Sequence, residues 1–359
     1  MLALVDVEER IPANHPLRRI KTIADRVLAS MSPTFDAMYA EGGRPSIPPE
    51  RLLKAGVLMA LYTVRSERAF CEELEYNLLY RWFLDLDLIE PGFDASTFSK
   101  NRERLLTHDV ARIVFDAVVA EADREHLLST DHFSVDGTMI DAAASMKSVR
   151  KRDGDPMPPP DDPGNPEVSF RNERRTNATH ANTTDPEARL YRKGKGQQAS
   201  RLTFLGHTLM ENRHGLLVDI TVTAATGTAE RDAALAMVDR MRDRGRLPVS
   251  VGADKGYDTH GFVAALTERG IQPHIMQNAY DTPKARRTSA VSDDVATSPG
   301  YAISQRKRKL IEEGFGWMKT IGGLRRTQYR GIARTQMSAY LTATAYTLLR
   351  ISRLFPTGA

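Results

Sequence analysis

Three short segments, far apart in the sequence, each carry an acidic residue in a setting suited to metal-assisted phosphoryl transfer. They are SVDGTMI with Asp136, VGADKGYD with Asp254 and RKLIEEGFGWMK with Glu312. The chain has 46 acidic residues, so acidity alone does not distinguish these three, but the element predicted for each does. Carboxylates are ligands that Mg²⁺ and Mn²⁺ prefer, and two such ions can activate one oxygen and stabilise another as it leaves.

Strand parity distinguishes Asp136 from its acidic neighbours. The segment from His132 to Ile140 predicts a strand, in which side chains alternate between two faces. Asp136 lies in the middle of this β-branched and aromatic run, where a charge is costly unless it is paired or binds a metal. Asp131 and Asp141 lie on the opposite face and are ordinary strand-end carboxylates.

Asp254 follows the apolar run LPVSVGA, which predicts a buried strand. Gly256 allows a tight turn after this strand, and either Asp258 or Thr259 can cap the next helix. Ligands tend to bind at the carboxyl ends of strands in an α/β sheet. Asp254 is therefore the second candidate, and Asp258, which has a role as a cap, is a weaker one.

Helical geometry separates Glu312 from Glu313. With Arg308 at 0° on one continuous helix, Lys319 falls at about 20°, Glu312 at about 40° and Glu313 at about 140°. The adjoining positions form an apolar stripe of Ile311, Phe315 and Met318. A ladder of surface ion pairs on a helix has the same pattern. The interpretation of Glu312 as a metal ligand is favoured over such a ladder only because the other two segments are present.

Together these motifs closely resemble the DDE transposases of bacterial insertion sequences. The resemblance is to the group numbered five and to its relatives in group four. Those enzymes have an Asp in a DGT-like strand, an Asp in a D-K-G-Y-type turn, and a signature of Tyr, Arg, Glu and Lys. Arg308, Glu312 and Lys319 match the last three in spacing, but Gln305 occupies the tyrosine position and Tyr301 lies four residues before it. GHTLMENRHGL and TGTAERDAA also resemble this family, so the resemblance spans about residues 40 to 350.

The resemblance implies an α/β catalytic domain with an RNase H-like mixed sheet and flanking helices, and an all-α N-terminal domain. Residues 1–128 are then the helical domain for DNA-end binding and dimerisation, and residues 129–359 the catalytic domain. Asp136, Asp254 and Glu312 would hold two Mg²⁺ or Mn²⁺ ions. The implied partner is double-stranded DNA, both the terminal inverted repeats of the element and the target, bound by a homodimer.

Helical periodicity runs through the first 128 residues. Apolar residues recur at i, i+3 and i+4 in the segments 16–31, 48–64 and 107–127, and residues 68–86 predict a further pair of helices. Pro49 is placed at a helix start and Thr107 as an N-cap. A plain bundle of four or five helices explains this pattern as well as a DNA-end-binding domain does, and no helix-turn-helix signature identifies a recognition helix.

The segment after the Asp136 strand is polar and rich in proline. Six prolines occur among residues 154–166, and we expect a flexible loop at about 148–189. Its basic residues Lys147, Arg150 and Lys151 belong either to a solvated linker or to a contact with the DNA backbone. Beyond it, 201–212 and 216–224 predict a hairpin, and 227–276 predict alternating helices and strands.

Charge is unevenly distributed along the chain. The formal net charge is +4, but residues 314–359 contain seven Lys or Arg residues and no Asp or Glu. A basic helical segment at about 320–355 suggests a polyanion partner. The candidate phosphate contacts are Arg308, Lys319, Arg325, Arg326, Arg330 and Arg334.

Composition excludes several other classes of protein. A single cysteine excludes a disulfide framework and suits a reducing cytosol. No run of eighteen apolar residues occurs and the N-terminus has an acidic flank, so we expect neither a membrane span nor a signal peptide. With the resemblance, this predicts a bacterial protein of the cytoplasm, associated with the nucleoid.

The sequence thus predicts a DNA transposase that cleaves at insertion-sequence ends and joins the freed 3′-hydroxyl to target DNA. Two alternatives stay open. A metal-dependent nuclease would have the same site without strand transfer, and a domesticated protein would bind DNA without catalysis.

The helical geometry generates the first prediction. Replacing Asp136, Asp254 or Glu312 by Ala should abolish DNA cleavage and leave DNA-end binding largely intact. Glu313→Ala, the matched control, should cleave nearly normally because its side chain lies about 100° further round the helix than Glu312. Cleavage and gel-shift assays on labelled element ends measure both properties. A dead Glu313→Ala beside an active Glu312→Ala would show that the assignment is wrong.

Overall fold

The chain forms two compact units in a computed structural model that describes residues 6–36, 38, 47–152, 167–170, 173–192, 200–282 and 285–354. The first unit comprises Met1–Leu127, Trp317–Gly323 and Tyr340–Ala359, and the second comprises Leu128–Gly316 and Leu324–Ala339. The proline-rich residues 153–166 lie outside the described part. In the described part, no helix is long and apolar enough to cross a membrane.

The first unit is helical. Its elements from the N-terminal part of the chain are α1 (Val7–Arg10), α2 (Pro16–Ala29), α3 (Ser32–Asp36), α4 (Pro49–Leu61), α5 (Glu67–Leu74), α6 (Leu78–Phe83), α7 (Ala95–Thr107) and α8 (Val110–Arg124). Thr107 is not the expected N-cap, because it ends α7 and its Oγ1 donates to the carbonyl of Glu103. Asp109 precedes α8 with φ of 49°, and this left-handed residue separates the two helices.

The end of the chain also belongs to the first unit. The ring of Tyr340 lies 5.9 Å from that of Phe115, and Arg19 donates to the carbonyl of Ser352 at 3.1 Å. The sequence-based division had assigned both C-terminal segments to the catalytic domain. Contacts between residues more than 200 positions apart have no periodic signal in the sequence, which explains this difference.

The second unit contains the strands. They are β1 (His132–Asp141), β2 (Val149–Lys151), β3 (Glu167–Phe170), β4 (Glu173–Thr176), β5 (His180–Asn182), β6 (Arg189–Tyr191), β7 (Arg201–Glu211), β8 (Leu216–Ala224), β9 (Ser250–Ala253), β10 (Gln272–Ile275), β11 (Tyr280–Thr282) and β12 (Ala285–Arg287). The remaining helices are α9 (Ala229–Asp243), α10 (His260–Glu268), α11 (Asp293–Ala296), α12 (Pro299–Lys307), α13 (Leu310–Thr320) and α14 (Ile332–Leu354). Helices α13 and α14 each begin in the second unit and end in the first.

The main sheet is mixed and has the order β8–β7–β1–β9–β10, with β6 pairing beside β8 on the outer side of β7. Strands β1, β9 and β10 are parallel, whereas β7 is antiparallel to β1 and to β8. Helix α9 connects β8 to β9, and α10 connects β9 to β10. This is the expected RNase H-like sheet with flanking helices.

Turn residues end the elements where the sequence predicts it. Gly215, with φ of 69°, lies in the hairpin between β7 and β8. Gly245, with φ of 76°, follows α9, in the left-handed conformation that commonly ends helices. The predicted hairpin and the end of α9 are therefore both confirmed.

The expected loop at about 148–189 contains regular structure. Strand β2 pairs with β5 and β3 pairs with β4, both antiparallel. The side chain of Asn177 bonds both the N–H and the carbonyl of Leu190 at 2.8 Å, and Asn182 accepts from two backbone N–H groups. These polar side chains satisfy backbone groups by hydrogen bonds in a segment that lacks the apolar pattern by which strands are normally predicted. The polar composition of the segment therefore led to the wrong prediction of a loop.

Two carboxylates from this segment cap helix α14. Asp185 accepts from the N–H of Gly331 at 3.1 Å, and Glu187 accepts from that of Ile332 at 3.0 Å. Anionic groups are favourable at a helix N-terminus. The predicted basic helix from about 320 is correspondingly shorter, because 321–331 is not helical and contains Gly323 and Gly331 at positive φ.

Asp258 joins the two ends of an excursion of the chain, the segment 278–290, which contains β11 and β12. Its fully buried carboxylate accepts from the N–H of Asn278 at 2.6 Å and of Ala290 at 2.8 Å. Thr259, and not Asp258, is the N-cap of α10. Asp258 therefore holds together both ends of the segment 278–290.

Removing this carboxylate should lower stability. In Asp258→Ala two backbone donors lose their acceptor in the interior, so we expect the free energy of unfolding to fall by about 2–4 kcal/mol. Asp281→Ala, in the same excursion but 77% exposed, should change it by less than about 0.5 kcal/mol. Urea denaturation of the two variants provides the measurement, and equal stabilities would contradict the anchoring role.

Candidate active site

The pairing of β1 with β9 brings two of the three candidate carboxylates together. The last paired residues are Ser134 and Gly252. Asp136 lies two residues further along β1, and Asp254 directly follows β9, two residues after Gly252; continuing the register places both on one face of the sheet. Asp254 keeps an extended backbone, with φ of −76° and ψ of 175°.

Short local hydrogen bonds orient both carboxylates. Asp136 accepts from the N–H of Gly137 at 2.7 Å, and Asp254 accepts from that of Gly256 at 2.8 Å. Asp254 thereby caps the short 3₁₀ turn Lys255–Tyr257, which leads the chain away from the sheet. Both side chains are half-buried. The pairing of β1 with β9 ends at Ser134 and Gly252, before the two carboxylates.

Helix α12 lies against the same face. A Cβ atom on Gly252 would lie 2.9 Å from Ser304 Oγ, 3.5 Å from Ser134 Oγ and 3.6 Å from Arg308 Cβ. A larger residue at 252 would therefore displace the Ser304 side chain, and the glycine lets the helix approach closely. The approach places Arg308, at the C-cap of α12, over the strand that leads to Asp254.

Arg308 and Glu312 do not share one continuous helix as the sequence analysis assumed. Helix α12 ends at Lys307, α13 begins at Leu310, and the turn between them contains i→i+3 bonds from Ile311 to Arg308 and from Glu312 to Lys309. Four consecutive cations, 306–309, disfavour an unbroken helix there. The apolar stripe Ile311, Phe315 and Met318 is buried as predicted.

Glu312 and Glu313 are both exposed, so burial does not separate them. No described group of three or more His, Cys, Asp or Glu residues is positioned to hold a metal ion. The structure thus brings Asp136 and Asp254 together, and it does not add Glu312 to them as a third converging ligand. The adjacent pair consists of hard oxygen donors, which fits Mg²⁺ or Mn²⁺ and offers no soft ligand.

Gln305 connects Arg308 to strand β10. Its Oε1 accepts from Arg308 Nε at 3.0 Å, and its Nε2 donates to the carbonyl of His274 at 2.5 Å. Tyr301 donates to the carbonyl of Ile275 at 2.9 Å, and burial raises its pKa, a rise that the charge of Arg308 opposes. Gln305, at the signature tyrosine position, therefore orients the arginine.

Tyr257 is a further polar group in this region. It is 1% exposed, and its hydroxyl has no hydrogen-bond partner among the residues that the structure describes. Burial raises its pKa well above 10.0, and the negative charges of Glu230, Asp136 and Asp254 raise it further. Sequence reasoning missed both Glu230 and Tyr257, because a Glu in the first turn of a helix and a Tyr in a turn are both ordinary.

The predicted DNA-contacting cations occupy several places. In the described second unit, Lys147, Arg150, Lys151, Arg325, Arg326 and Arg330 are exposed, Arg308 and Arg334 are partly exposed, and Lys319 on α13 is partly exposed in the first unit. Residues 325–327 pair with the end of β1, where Asp141 bonds the carbonyl of Arg325 and the N–H of Thr327. Arg326 and the group 147–151 therefore both lie near the carboxyl end of β1.

The strand order of the main sheet is RNase H-like. Two family models match the chain, "Transposase domain (DUF772)" over residues 5–104 and "Transposase DDE domain" over residues 129–348. The second match covers more than half of the 359 residues. The chain belongs to the DDE transposase family and is a DNA transposase.

Solved transposase structures show a distant likeness. A piggyBac transposase synaptic complex with hairpin DNA has 8% identity and a TM-score of 0.37, with 94% of this chain and 75% of that chain covered. A Mos1 transposase paired-end complex with the left transposon end has 11% identity and a TM-score of 0.21, with 79% and 82% covered. A Mos1 mariner paired-end complex with Mn has 11% identity and a TM-score of 0.21, with 92% and 87% covered. No curated protein matches the chain.

Loss of the Gln305 bridge should reduce activity through Arg308. Gln305→Ala removes one hydrogen bond to the guanidinium, and a loss of about 1.4 kcal/mol corresponds to about tenfold slower cleavage. Tyr301→Phe, the matched control, removes a bond between the same helix and the same strand without affecting Arg308, so it should cleave nearly normally. Single-turnover cleavage of element ends distinguishes the two, and the reverse order of effects would exclude a special role for Gln305.

Proposed function

We propose that this transposase cleaves DNA at the ends of an insertion sequence and transfers the freed 3′-hydroxyl to target DNA. The observation that supports the proposal most is the register of β1 and β9, which pairs Ser134 with Gly252, two residues before Asp136 and Asp254 respectively. Two carboxylates are thus brought to one side of the sheet by backbone that is already ordered, which is the preorganisation that phosphoryl transfer requires.

Asp136, Asp254 and Glu312 are the proposed ligands of two Mg²⁺ or Mn²⁺ ions. Bound ions of this kind supply charge neutralisation at the phosphate and a lowered pKa for a coordinated oxygen. Glu312 lies in the first turn of α13, directly after the turn that follows Arg308. We assign it as the third ligand because its exposed carboxylate follows the helix packed over β9.

Cations hold the DNA in this proposal. Arg308, oriented by Gln305, can bind a phosphate through its planar guanidinium, and Lys319 can act as a point charge. The other cations of the second unit extend the same phosphate-binding role, namely Lys147, Arg150, Lys151, Arg325, Arg326, Arg330 and Arg334.

We further propose that the active species is a homodimer on double-stranded DNA, which binds the terminal inverted repeats and then the target. The helical residues 1–128 would bind the element ends and form dimer contacts. A bacterial cytoplasmic location at the nucleoid follows from the proposed substrate. An insertion sequence has two ends that must be joined to one target, which favours two copies of the chain.

An assay with labelled DNA strands tests the proposed reaction. Purified protein, a pre-cleaved element end with a free 3′-hydroxyl, and a target plasmid should yield a covalent joint product. A dideoxy 3′-end should block joining and leave DNA binding unchanged. Nicking without a joint product would support the nuclease alternative, and binding without either reaction would support a domesticated DNA-binding protein.

The basic residues after α13 generate a prediction on salt dependence. Neutralising Arg325, Arg326 and Arg330 by Gln should weaken specific and random DNA alike, because phosphates carry no sequence information. Each lost contact should flatten the slope of log affinity against log salt by about 0.9. Arg242→Gln, a 51% exposed cation on α9, is the matched control. An unchanged slope in the triple variant would remove these residues from the interface.

Metal choice forms a separate prediction. We expect cleavage with Mg²⁺ and Mn²⁺, because an all-carboxylate site favours hard cations. Ca²⁺ tolerates looser geometry, so it should support DNA binding without cleavage. Cleavage that persists in EDTA, or that returns only with Zn²⁺, would contradict a carboxylate site for two hard cations.

A further inference from the structure

We infer that helix α7 (Ala95–Thr107) enters the major groove at the ends of the insertion sequence and reads their base sequence. This inference rests on the proposed function, which assigns the binding of DNA ends to residues 1–128 without naming the part that selects a sequence. One exposed face of α7 would contact the base edges, and it is formed by Ser96, Ser99, Lys100 and Glu103.

Helix α7 contributes little to the core of the first unit. Of its 13 residues, all of which the structure describes, only Asn101 is buried. By contrast, α4 buries eight of its 13 residues and α8 buries eight of its 15. Helices in folded proteins owe most of their stability to the packing of an apolar face. The surface that α7 leaves exposed is therefore unusually broad for a helix of this unit.

Contacts on the other side of α7 hold it in place. The ring of Phe98 lies 6.0 Å from that of Phe70 on α5, nearly perpendicular to it. Arg102 forms an ion pair with Glu67, at the start of the same helix α5. The side chain of Asp94 caps the N-terminus of α7. A helix that is fixed from behind can present its front to DNA without reorganising, which lowers the cost of binding.

The exposed face is continuous along the helix. With Ser96 at 0°, Ser99 falls at about 300°, Glu103 at about 340° and Lys100 at about 40°. These four side chains are all exposed and lie within about 100° of arc. The two side chains that contact α5 fall on the opposite side, at about 200° and 240°. One side of α7 thus anchors the helix, and the other presents hydrogen-bonding groups only.

The composition of this face fits DNA and not a protein partner. It has no apolar side chain, and Ser, Lys and Glu are depleted at protein–protein interfaces. The major groove is about 12 Å wide and admits an α-helix. Its base edges offer complementary groups, because lysine donates to guanine O6 and N7, serine bonds either kind of group, and glutamate accepts from cytosine N4.

Glu103 distinguishes base reading from simple attraction to phosphate. A carboxylate repels the phosphate backbone, so a surface that binds DNA by charge alone would bind more tightly without it. Inside the groove the same carboxylate is an acceptor for cytosine, while Lys100 is a donor for guanine. The face is therefore suited to selecting a base sequence and not only to neutralising charge.

Binding of two duplexes by the full-length protein tests the inference. One duplex carries the terminal repeat that flanks the coding sequence, and the other has the same bases in scrambled order. Lys100→Ala should weaken binding to the terminal repeat about 5–150-fold, the range for one good pair of a side chain and a base. The loss on the scrambled duplex should be much smaller.

Glu103→Gln should act in opposite directions on the two duplexes. It should weaken binding to the terminal repeat, because cytosine N4 loses its acceptor, and strengthen binding to the scrambled duplex, because a repulsion is removed. Arg353→Gln, which neutralises an exposed cation of α14 in the same unit, is the control and should change neither affinity. Thermal unfolding should be the same in all three variants, since each position is exposed.

A guanine analogue identifies the contact of Lys100. Replacing single guanines of the terminal repeat by 7-deazaguanine removes the N7 acceptor from the major groove. At the guanine that Lys100 contacts, this replacement should weaken binding by the wild type. It should not weaken binding by Lys100→Ala further, because that variant has already lost the interaction.

The outcomes separate this inference from the proposed function. Equal weakening of both duplexes by Lys100→Ala would indicate a phosphate contact and would overturn the inference. Unchanged binding of both duplexes by Lys100→Ala and Glu103→Gln would indicate a solvated helix face, which would also overturn it. In both cases the proposed binding of DNA ends survives if the wild type still prefers the terminal repeat. If the wild type shows no preference, that part of the proposed function fails, and the inference fails with it.

Discussion

The parallel pairing of β1 with β9 is the constraint on which the candidate site depends. Its register places Ser134 beside Gly252, and Asp136 and Asp254 each follow two residues later. A slip of one residue would move one carboxylate to the opposite face. Phe133 and Val251, which pair with each other and are buried on the opposite face, fix this register. Hydrophobic burial and backbone hydrogen bonds of the neighbouring residues thus fix the positions of the two acidic side chains, although neither interaction involves the carboxylates themselves.

The two faces of the sheet contribute different chemistry to the same strand ends. On one face, the small residue Gly252 lets α12 approach, and this helix carries Gln305 and Arg308. On the other face, Gly137 leaves room for Glu230 at the start of α9. Arg308 therefore lies on the face that carries Asp136 and Asp254, and Glu230 lies on the opposite face.

The sequence predicted elements with strong periodic or turn signals and missed features that depend on distant contacts. The β1 strand, the β7–β8 hairpin and the end of α9 at Gly245 followed from local patterns. The strands within 148–189 escaped because amide side chains satisfy their backbone groups. The sequence analysis missed the break between α12 and α13, because it calculated angular positions on one continuous helix. In the site, Asp136 and Asp254 were identifiable from their strand positions, whereas the packing of Glu230 against Gly137 depends on a distant contact.

The anchoring of the segment 278–290 by Asp258 has a consequence for protein engineering. One buried carboxylate receives both ends of the excursion, at Asn278 and at Ala290. The strands β11 and β12 between these ends are exposed, so they add little to the core that holds the sheet. A loop closed at its base tolerates changes at its tip, since closure entropy grows only slowly with length. Fluorescent labels, affinity tags or a small guest domain could therefore be inserted between β11 and β12 while the sheet keeps its register.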